Sequence, residues 1–391
     1  MKNFLSIRLK EGYRIVFQEQ WPDMVGGVFL GLLSILIVAW SRPWGIVGGM
    51  RNWADWVFYG IGIIPAAPEH PLFFSSSIMD IGLLAGAFGS ALLAREFALR
   101  TSPKLEIAKG FCGGILMGIG SSLAMGCNVG AFYTTLINLS ANGFTMMLGL
   151  ILGAYFGLRY LLWELEKFPA TPTVVMKSSS SSSGWKKAQP YVGGLVFAGI
   201  LLSAYSYTLY DYTEIAGLLI FGMFFGMVLQ RCRFCFVRAF RDPFMTGEAT
   251  VAKAVVVSIL IGAAGVAILK WNGFRPESLY VVPTFGWGSF VGGTIFGTGM
   301  VIAGGCGSGT LWRVAEGHLK LWMALATFAF TNSLMNIFLQ STGLKGKLGV
   351  PVFLPSILGW QGAFLALILV LLVWYVVLAW NEETNKFTVG M

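Results

Sequence analysis

Charged residues and histidines are scarce in this sequence of 391 residues. Only 12% of the residues are charged, whereas soluble domains contain about 25%. The two histidines, His70 and His318, offer little for a histidine-based metal site or a proton relay. No Walker A, dinucleotide-binding or HExxH motif is present. These absences favour a protein that is not an enzyme and that holds no cofactor and no metal.

Apolar residues, in contrast, make up 56% of the chain. Many runs reach the roughly 20 residues that a helix needs to cross a bilayer, and tryptophans cluster near their ends, as they do at membrane interfaces. We therefore predict an all-α polytopic membrane protein with about ten transmembrane helices. The predicted spans are residues 24–40, 78–97, 110–126, 145–163, 191–207, 213–229, 250–269, 284–303, 319–339 and 358–380.

Shorter apolar pieces lie between these spans. Such pieces can exist at membrane depth only where protein or a water-lined cavity surrounds them. We predict short re-entrant or broken helices at residues 53–64, 129–139, 234–240 and 310–315.

The net charge of +9 is not accompanied by a nucleic-acid-binding module, so no nucleic-acid partner is expected. Lysines and arginines precede the first predicted span and follow the second, fourth and sixth. If each span crosses once, all four groups lie on one side, which the positive-inside rule assigns to the cytoplasm. We expect both termini on that side.

An internal repeat is the strongest organisational signal. Eight residues recur in register, without a gap, at the constant interval that separates Cys127 from Cys306. The first copy contains Gly113, Gly114, Gly118, Gly120, Ala124, Gly126, Cys127 and Gly130, and the second contains Gly292, Gly293, Gly297, Gly299, Ala303, Gly305, Cys306 and Gly309. The two copies start from opposite sides of the predicted membrane, which makes the halves inverted and pseudo-symmetric, a common plan of secondary transporters.

The chain divides near its middle. We predict an N-terminal half at residues 1–168, a Ser-rich cytoplasmic linker at 169–190 and a C-terminal half at 191–391. The linker contains six consecutive serines, a composition typical of flexible segments.

Cys127 and Cys306 each follow a glycine where an apolar run is interrupted. A thiol at such a break would lie at a helix N-terminus, where unpaired amides favour anions. The simpler interpretation is a buried thiol that acts as a small apolar residue. Its recurrence at equivalent breaks favours a functional role for the cysteines, whereas the glycines alone are explained by helix packing.

A second cysteine-containing segment follows the sixth span. Cys232 and Cys235 form a CxxC pair that suggests a redox disulfide or half a zinc site, but no second pair completes four ligands. Arg233, Arg238 and Arg241 either follow the positive-inside rule or attract an anion at the cytoplasmic mouth.

Three further residues remain. Arg313 and Glu316 have two interpretations, and Cys112 has a simple structural one. Arg313 and Glu316 form an interface ion pair or belong to a polar path. Cys112 lies in the glycine-rich packing stretch and is expected to be structural.

The motifs Met125-Gly126-Cys127-Asn128, Arg233-Phe234-Cys235 and Ala303-Gly304-Gly305-Cys306, with Arg313 to Gly317, resemble the YeeE/YedE sulfur-transport family. The resemblance implies an hourglass of helices that takes up thiosulfate across the prokaryotic plasma (inner) membrane. It also implies that Cys127, Cys235 and Cys306 pass the anion on by transient hydrogen bonds. The residues that support the path would be Gly126, Asn128, Gly305, Arg313 and Glu316. A small TusA-like sulfurtransferase would receive the transported anion.

The order of the motifs leaves the substrate open. The Cys127 motif precedes the Cys235 motif, an order that resembles the YedE branch, which is linked to selenium metabolism. One alternative is therefore a transporter of a selenium compound, and another is a membrane redox protein that cycles Cys232 and Cys235 as a disulfide. A third is an accessory subunit of a sulfur-handling enzyme. Because a divalent anion cannot enter an apolar core uncompensated, and because thiols are weak donors, we expect relay cysteines to stay reduced.

Overall fold

The computed structural model describes residues 2–167 and 183–389, and these residues form helices, without a β-strand among them. The helices are α1 (Lys2–Tyr13), α2 (Asp23–Trp40), α3 (Val47–Gly60), α4 (Ser75–Leu93), α5 (Lys104–Leu123), α6 (Thr134–Ile137), α7 (Asn142–Lys167), α8 (Ser183–Leu209), α9 (Thr213–Arg231), α10 (Phe236–Met245), α11 (Thr250–Trp271), α12 (Trp287–Ala303), α13 (Gly307–Ala315), α14 (Leu319–Ser341) and α15 (Leu354–Thr384). A π-helical segment, Asn128–Tyr133, leads into α6.

Ten helical stretches of the described residues are long and apolar enough to cross a membrane. Their outward faces carry large apolar side chains, as on α15, where Leu365, Leu369 and Leu372 are exposed. Such a surface requires lipid rather than water around it. The prediction of an all-α polytopic membrane protein with about ten spans is confirmed.

Helices α5 and α12, which carry the two sequence repeats, pack antiparallel. A Cβ added at Gly113 would lie 2.7 Å from the carbonyl oxygen of Gly299, and one added at Gly292 would lie 2.6 Å from that of Gly120. Gly113 and Gly292 are equivalent repeat positions, as are Gly120 and Gly299. The contact therefore maps onto itself when the halves are exchanged, which confirms that the repeats are inverted.

The remaining large contacts occur in equivalent pairs. Helix α7 packs on α12 as α14 packs on α5, and α4 packs on α9 as α11 packs on α2. Glycines form these contact surfaces: Gly149 and Gly153 of α7 face the backbone of α12, and Gly82 and Gly86 of α4 face that of α9. Small residues let helices approach closely in lipid, where van der Waals contact replaces the hydrophobic effect.

Three of the spanning stretches are interrupted by short loops. The loops lie between α5 and the π-helical segment, between α9 and α10, and between α12 and α13. Each contains a residue with positive φ, namely Met125 (53°), Arg233 (50°) and Gly304 (76°). A left-handed residue commonly ends a helix and redirects the chain. Short helices thus follow at the pieces predicted at 129–139, 234–240 and 310–315. Of the piece predicted at 53–64, residues 53–60 belong to α3.

The predicted linker at 169–190 lies largely outside the described residues. Its last part differs from the prediction, since α8 begins at Ser183 and residues 183–190 are helical. The Gln189 side chain is buried and donates a hydrogen bond to the Phe97 carbonyl at 3.0 Å. This contact fastens the start of α8 to the end of α4. The boundaries of the two halves stay predictions.

Candidate functional site

The thiols of Cys235 and Cys306 are in contact. Their sulfur atoms lie 3.7 Å apart, both side chains are buried, and both cysteines are free. A disulfide would require about 2.05 Å, so the pair consists of two separate thiols. Cys235 immediately precedes α10 and Cys306 immediately precedes α13. The chain thus places both sulfur atoms at the starts of short buried helices.

Local backbone geometry orients Cys306. Its sulfur accepts a hydrogen bond from the Gly309 amide at 3.2 Å and lies 3.6 Å from the Ser308 hydroxyl. A Cβ added at Gly309 would lie 2.6 Å from Cys235 Sγ and 3.1 Å from Cys306 Sγ. The absence of a side chain at Gly309 therefore leaves the room in which the two thiols meet.

Cys127 lies at the equivalent break of the first half, where it precedes the π-helical segment. The two breaks touch, because the Gly307 amide donates a hydrogen bond to Asn128 Oδ1 at 3.4 Å. A Cβ added at Gly307 would lie 3.1 Å from Cys127 Sγ. Cys127 therefore adjoins the residue that follows Cys306, while Cys306 itself contacts Cys235.

The glycines before Cys127 and Cys306 are required by tight packing. A Cβ at Gly126 would lie 2.8 Å from the Ala131 amide nitrogen, and one at Gly305 would lie 2.9 Å from Thr310 Oγ1. Both distances are far below ordinary carbon contacts. Gly126 and Gly305 therefore shape the two breaks through which the chain turns.

Two buried polar atoms beside the cysteines lack a protein partner. Asn128 Nδ2 and Thr310 Oγ1 are inaccessible and have no hydrogen-bond partner among the described residues. Because an unpaired buried polar group costs about 1–3 kcal/mol, such atoms call for an explanation. A polar ligand that passes between the two breaks would supply the missing partner.

Arg313 and Glu316 do not pair with each other. Arg313 donates to the Gly304 carbonyl at 2.7 Å, lies over the Trp312 ring, and is near enough for its charge to act on Cys235. This position links Arg313 to the cysteine group rather than to an interface ion pair.

Glu316 is buried in a separate polar network. It accepts hydrogen bonds from Gln230 at 2.8 Å and from Arg100 at 3.3 Å, and it faces His318 at 3.5 Å. Burial acts to raise the pKa of Glu316, but His318, Gln230 and the neighbouring arginines outweigh it, so the pKa lies below its ordinary value. Glu316 joins helices α9 and α13 to the chain around Arg100.

The three arginines predicted at the cytoplasmic mouth are all paired with carboxylates. Arg238 pairs with Asp23 at 3.4 Å and with Asp242 at 3.3 Å, and Arg241 pairs with Asp242 at 2.7 Å. These bridges fasten α10 to the start of α2. Arg233, with 42% of its side chain exposed, faces Glu96 at 3.6 Å.

A cavity of about 260 Å³ lies beside the second break. Its lining includes Gly304, Lys109, Arg241 and Lys320, together with Glu106. Lys320 donates to Glu106 at 2.6 Å, and Lys109 is also paired with it. The two lysines that line the cavity are therefore already paired with a carboxylate.

The other two cysteines point elsewhere. A Cβ added at Gly26 would lie 2.7 Å from Cys232 Sγ, which places this thiol against α2 while Cys235 faces Cys306. Cys112 is exposed on α5, so its side chain does not belong to the packed face of the glycine-rich stretch in which a structural role was expected. The glycines beside it, Gly113 and Gly114, form the packed face of that helix, which turns Cys112 outward.

Sequence reasoning missed three residues near Cys127. The Tyr280 hydroxyl approaches the break from the loop before α12, Arg42 donates to the Ser75 and Ser76 hydroxyls, and Asp80 is fully buried on α4. Asp80 had a sequence signal, because it is the sole acidic residue of the stretch 75–93, and ionisable residues inside spans are often functional. Tyr280 lies in a loop with no such signal.

Comparison with known proteins agrees with this architecture. The family model for sulphur transport matches residues 6–156 and 231–389, on both sides of the chain's middle. The chain belongs to the sulphur transport family. The matched ranges contain Cys127, Cys235 and Cys306, so the YeeE/YedE resemblance is confirmed, and the chain is a multi-pass membrane protein of a transport family.

Individual relatives match to different extents. The probable transporter YedE of Escherichia coli is 29% identical over 315 residues, which cover 77% of each chain. The thiosulfate transporter TsuA of Escherichia coli is 37% identical over 118 residues, or 30% of this chain and 33% of that protein. The TsuA of Spirochaeta thermophila is 40% identical over 111 residues, or 28% of this chain and 32% of that protein.

Proposed function

We propose that this protein takes up thiosulfate, or a closely related inorganic sulfur anion, into the prokaryotic cytoplasm through the plasma (inner) membrane. The anion passes Cys127, then Cys306, then Cys235. The observation that carries this proposal is the meeting of the two inverted breaks, where the free, buried Cys127 adjoins Gly307 and the free, buried Cys306 contacts Cys235. The similarity of part of the chain to thiosulfate transporters supports the choice of substrate.

The mechanism is an exchange of weak hydrogen-bond donors. A divalent anion loses its water on entering a buried path and needs replacement donors. Thiols donate weakly, so each can hold the anion without trapping it, as conduction requires. The unpaired Asn128 Nδ2 and Thr310 Oγ1 add donors beside Cys127 and Cys306. No covalent bond forms, and the thiols stay reduced.

Arg313 and Arg233 provide the release side. The charge of Arg313 acts on Cys235. Arg233 lies two residues before Cys235, and 42% of its side chain is exposed. Their positive charge attracts the anion away from the thiols, and bulk water then hydrates it. Arg238 and Arg241 act at a distance, since both are paired with carboxylates and are less exposed than Arg233. A TusA-like sulfurtransferase would collect the anion at this mouth.

The positive-inside rule sets the direction of the path. It assigns both termini and the Arg233 end to the cytoplasm, and the Arg42 end to the outside. Because the path is bidirectional in principle, net uptake depends on consumption of the anion inside the cell.

A selenium compound is the second candidate substrate. The match to YedE covers 77% of the chain, more than the matches to thiosulfate transporters, and the order of the motifs is that of the YedE branch. The dithiol redox alternative receives less support, because Cys232 and Cys235 face different helices.

Growth of a sulfate-uptake-deficient bacterium on thiosulfate tests the proposal. Wild-type protein should restore growth, whereas Cys127→Ala, Cys235→Ala and Cys306→Ala should each abolish it. Cys112→Ala is the matched control, since Cys112 is exposed and outside the group, and it should grow like wild type. Normal growth of all three relay variants would refute the cysteine path, and failure of the wild-type protein to restore growth on thiosulfate would refute thiosulfate as the substrate.

A further inference from the structure

The inverted symmetry predicts what should lie on the Arg42 side of the path. The segment Arg42-Pro43-Trp44 follows α2 as Arg233-Phe234-Cys235 follows α9. Counted from the end of the preceding helix, Trp44 takes the place of Cys235, and this loop of the first half contains no thiol. If both halves built the path in the same way, the Arg42 side would lack a donor equivalent to the Cys235 thiol.

The hydroxyl of Tyr280 fills the corresponding space. On one side, a Cβ added at Gly309 would lie 2.6 Å from Cys235 Sγ; on the other, a Cβ added at Gly130 would lie 3.0 Å from the Tyr280 hydroxyl oxygen. Gly130 and Gly309 are equivalent repeat positions. A Cβ added at Gly45, directly after Trp44, would lie 3.2 Å from the same hydroxyl. Two positions without side chains thus leave room around this oxygen.

The backbone of Tyr280 is held in an uncommon conformation. Its φ is 61°, in the left-handed region, which a bulky residue rarely adopts. Strained residues persist where the surrounding structure enforces them, and they often occur at functional sites. The strain here directs the ring from an interhelical loop towards the break at Cys127.

The surroundings of the hydroxyl suit an anion. The charged or titratable groups that act on it are Arg42 and Cys127. Burial raises the pKa of Tyr280 to about 12, and Arg42 opposes this only in part. The hydroxyl therefore keeps its proton at physiological pH and remains a donor.

A second donor nearby lacks a partner. The indole Nε1 of Trp44 is buried and has no hydrogen-bond partner among the described residues. Arg42, two residues earlier, is half-buried and holds its guanidinium against Ser75 and Ser76 at 2.8 and 2.7 Å. The Arg42 side thus presents a cation, the unpaired Trp44 donor and the buried carboxyl of Asp80, but no thiol other than Cys127.

We propose that the Tyr280 hydroxyl is a substrate-binding donor of the path, and that it holds the anion on the Arg42 side before Cys127 receives it. Tyr280 takes the role there that Cys235 takes on the other side of the pseudo-twofold axis. This inference rests on the proposed function, because it assigns a further binding group to the same anion path.

Thiosulfate uptake by purified protein in liposomes tests the inference, with Tyr280→Phe as the variant and Tyr207→Phe as the control. Tyr207 donates its hydroxyl to the Leu72 carbonyl on the protein surface, away from the cysteines. Tyr280→Phe removes one oxygen and keeps the ring. Loss of one hydrogen bond to an anion should raise the half-saturating thiosulfate concentration about tenfold, with little change in the maximal rate, whereas Tyr207→Phe should match wild type.

A second variant, Gly45→Ala, crowds the same hydroxyl without removing it and should also raise the half-saturating concentration. Thermal unfolding in detergent checks that each variant is folded. Unchanged half-saturation in folded Tyr280→Phe, with normal wild-type uptake, overturns the inference and leaves the proposed function intact. Absence of uptake by wild-type protein overturns both.

Discussion

Two glycines make room for the cysteine thiols. Gly307 leaves space for Cys127 Sγ, and Gly309 leaves space for the sulfur atoms of Cys235 and Cys306. Both glycines belong to the second break, and the positions of all three thiols depend on their lack of a side chain. Helix packing explains the glycines of α5 and α12, whereas room for the thiols explains Gly307 and Gly309.

Gly309→Ala tests this dependence at the residue scale. The added methyl would overlap both sulfur atoms, so the thiols must separate and uptake should fall at least tenfold. Overpacking typically costs about 1–3 kcal/mol, so the protein should still fold. Thiosulfate uptake in liposomes and thermal unfolding measure the two effects. Gly199→Ala, whose Cβ meets nothing within 4 Å, is the control; equal uptake by both variants would contradict the account.

Individual side chains were predictable only where the sequence repeats or carries a motif. Cys127 and Cys306 stood out because they recur at equivalent breaks, and Cys235 stood out by its motif. Tyr280 was not predictable, since its approach to Gly130 depends on a loop conformation and on packing between the halves. The outward orientation of Cys112 likewise depends on which face of α5 its neighbouring glycines present to α12 and α14.

At the scale of elements, a polar network joins the helix ends opposite Arg42. Gln230 at the end of α9 donates to Glu316, which follows α13, and to Glu96, which follows α4, at 2.8 and 2.9 Å. Arg231 also pairs with Glu96. The network fixes α13, and therefore Cys306 at its start, relative to α4 and α9.

Glu316→Gln should destabilise the protein by about 3 kcal/mol, because it leaves the partners of a buried carboxylate uncompensated. Folding lowers the pKa of Glu316. Its stabilising contribution is therefore complete above the ordinary value of about 4.3 and disappears as the pH falls through the lower folded value.

Thermal unfolding in detergent as a function of pH measures this effect. The difference between wild type and Glu316→Gln should be constant near neutrality and should shrink under acidic conditions. Glu383→Gln changes an exposed carboxylate and should leave stability within about 0.5 kcal/mol of wild type. A difference that grows as the pH falls would contradict the assigned role.

Helices and breaks were largely predictable, because long apolar runs, glycine interruptions and the repeat are local signals. The helix bounds differ from the predicted ones by several residues where polar groups form hydrogen bonds. Helix α4 ends at Leu93 rather than near residue 97, since residues after it turn towards Glu316. Helix α8 starts at Ser183, and its Gln189 is anchored to Phe97 in the segment that follows α4, a contact that no local pattern reveals.

For the whole molecule, the inverted repeat explains why the path lies at the centre. Helices α5 and α12 cross at the pseudo-twofold axis, and each leads into a break that meets its counterpart. Inverted repeats place binding sites at the repeat interface. Cys235 and Tyr280 both belong to the C-terminal half, and in our proposal they lie on opposite sides of the break region, which would give the path two chemically different ends.

The proposed orientation of the molecule rests on its basic residues and on the even number of candidate spans among the described residues. Reporter domains fused to either terminus should be inaccessible to protease added to intact spheroplasts and should be digested after lysis. A reporter inserted in the loop 272–286, which carries Tyr280, should be digested in intact spheroplasts. The opposite pattern would reverse the proposed direction of the path.

The central claim is that the anion crosses by way of the cysteine group, and uptake of radiolabelled thiosulfate into liposomes tests it most directly. Cys306 is the decisive position, because its thiol contacts Cys235 and its neighbour Gly307 contacts Cys127. The account predicts saturable uptake by wild type and by Cys112→Ala, and uptake at the level of protein-free liposomes for Cys306→Ala. Saturable wild-type uptake that persists undiminished in folded Cys306→Ala would contradict it.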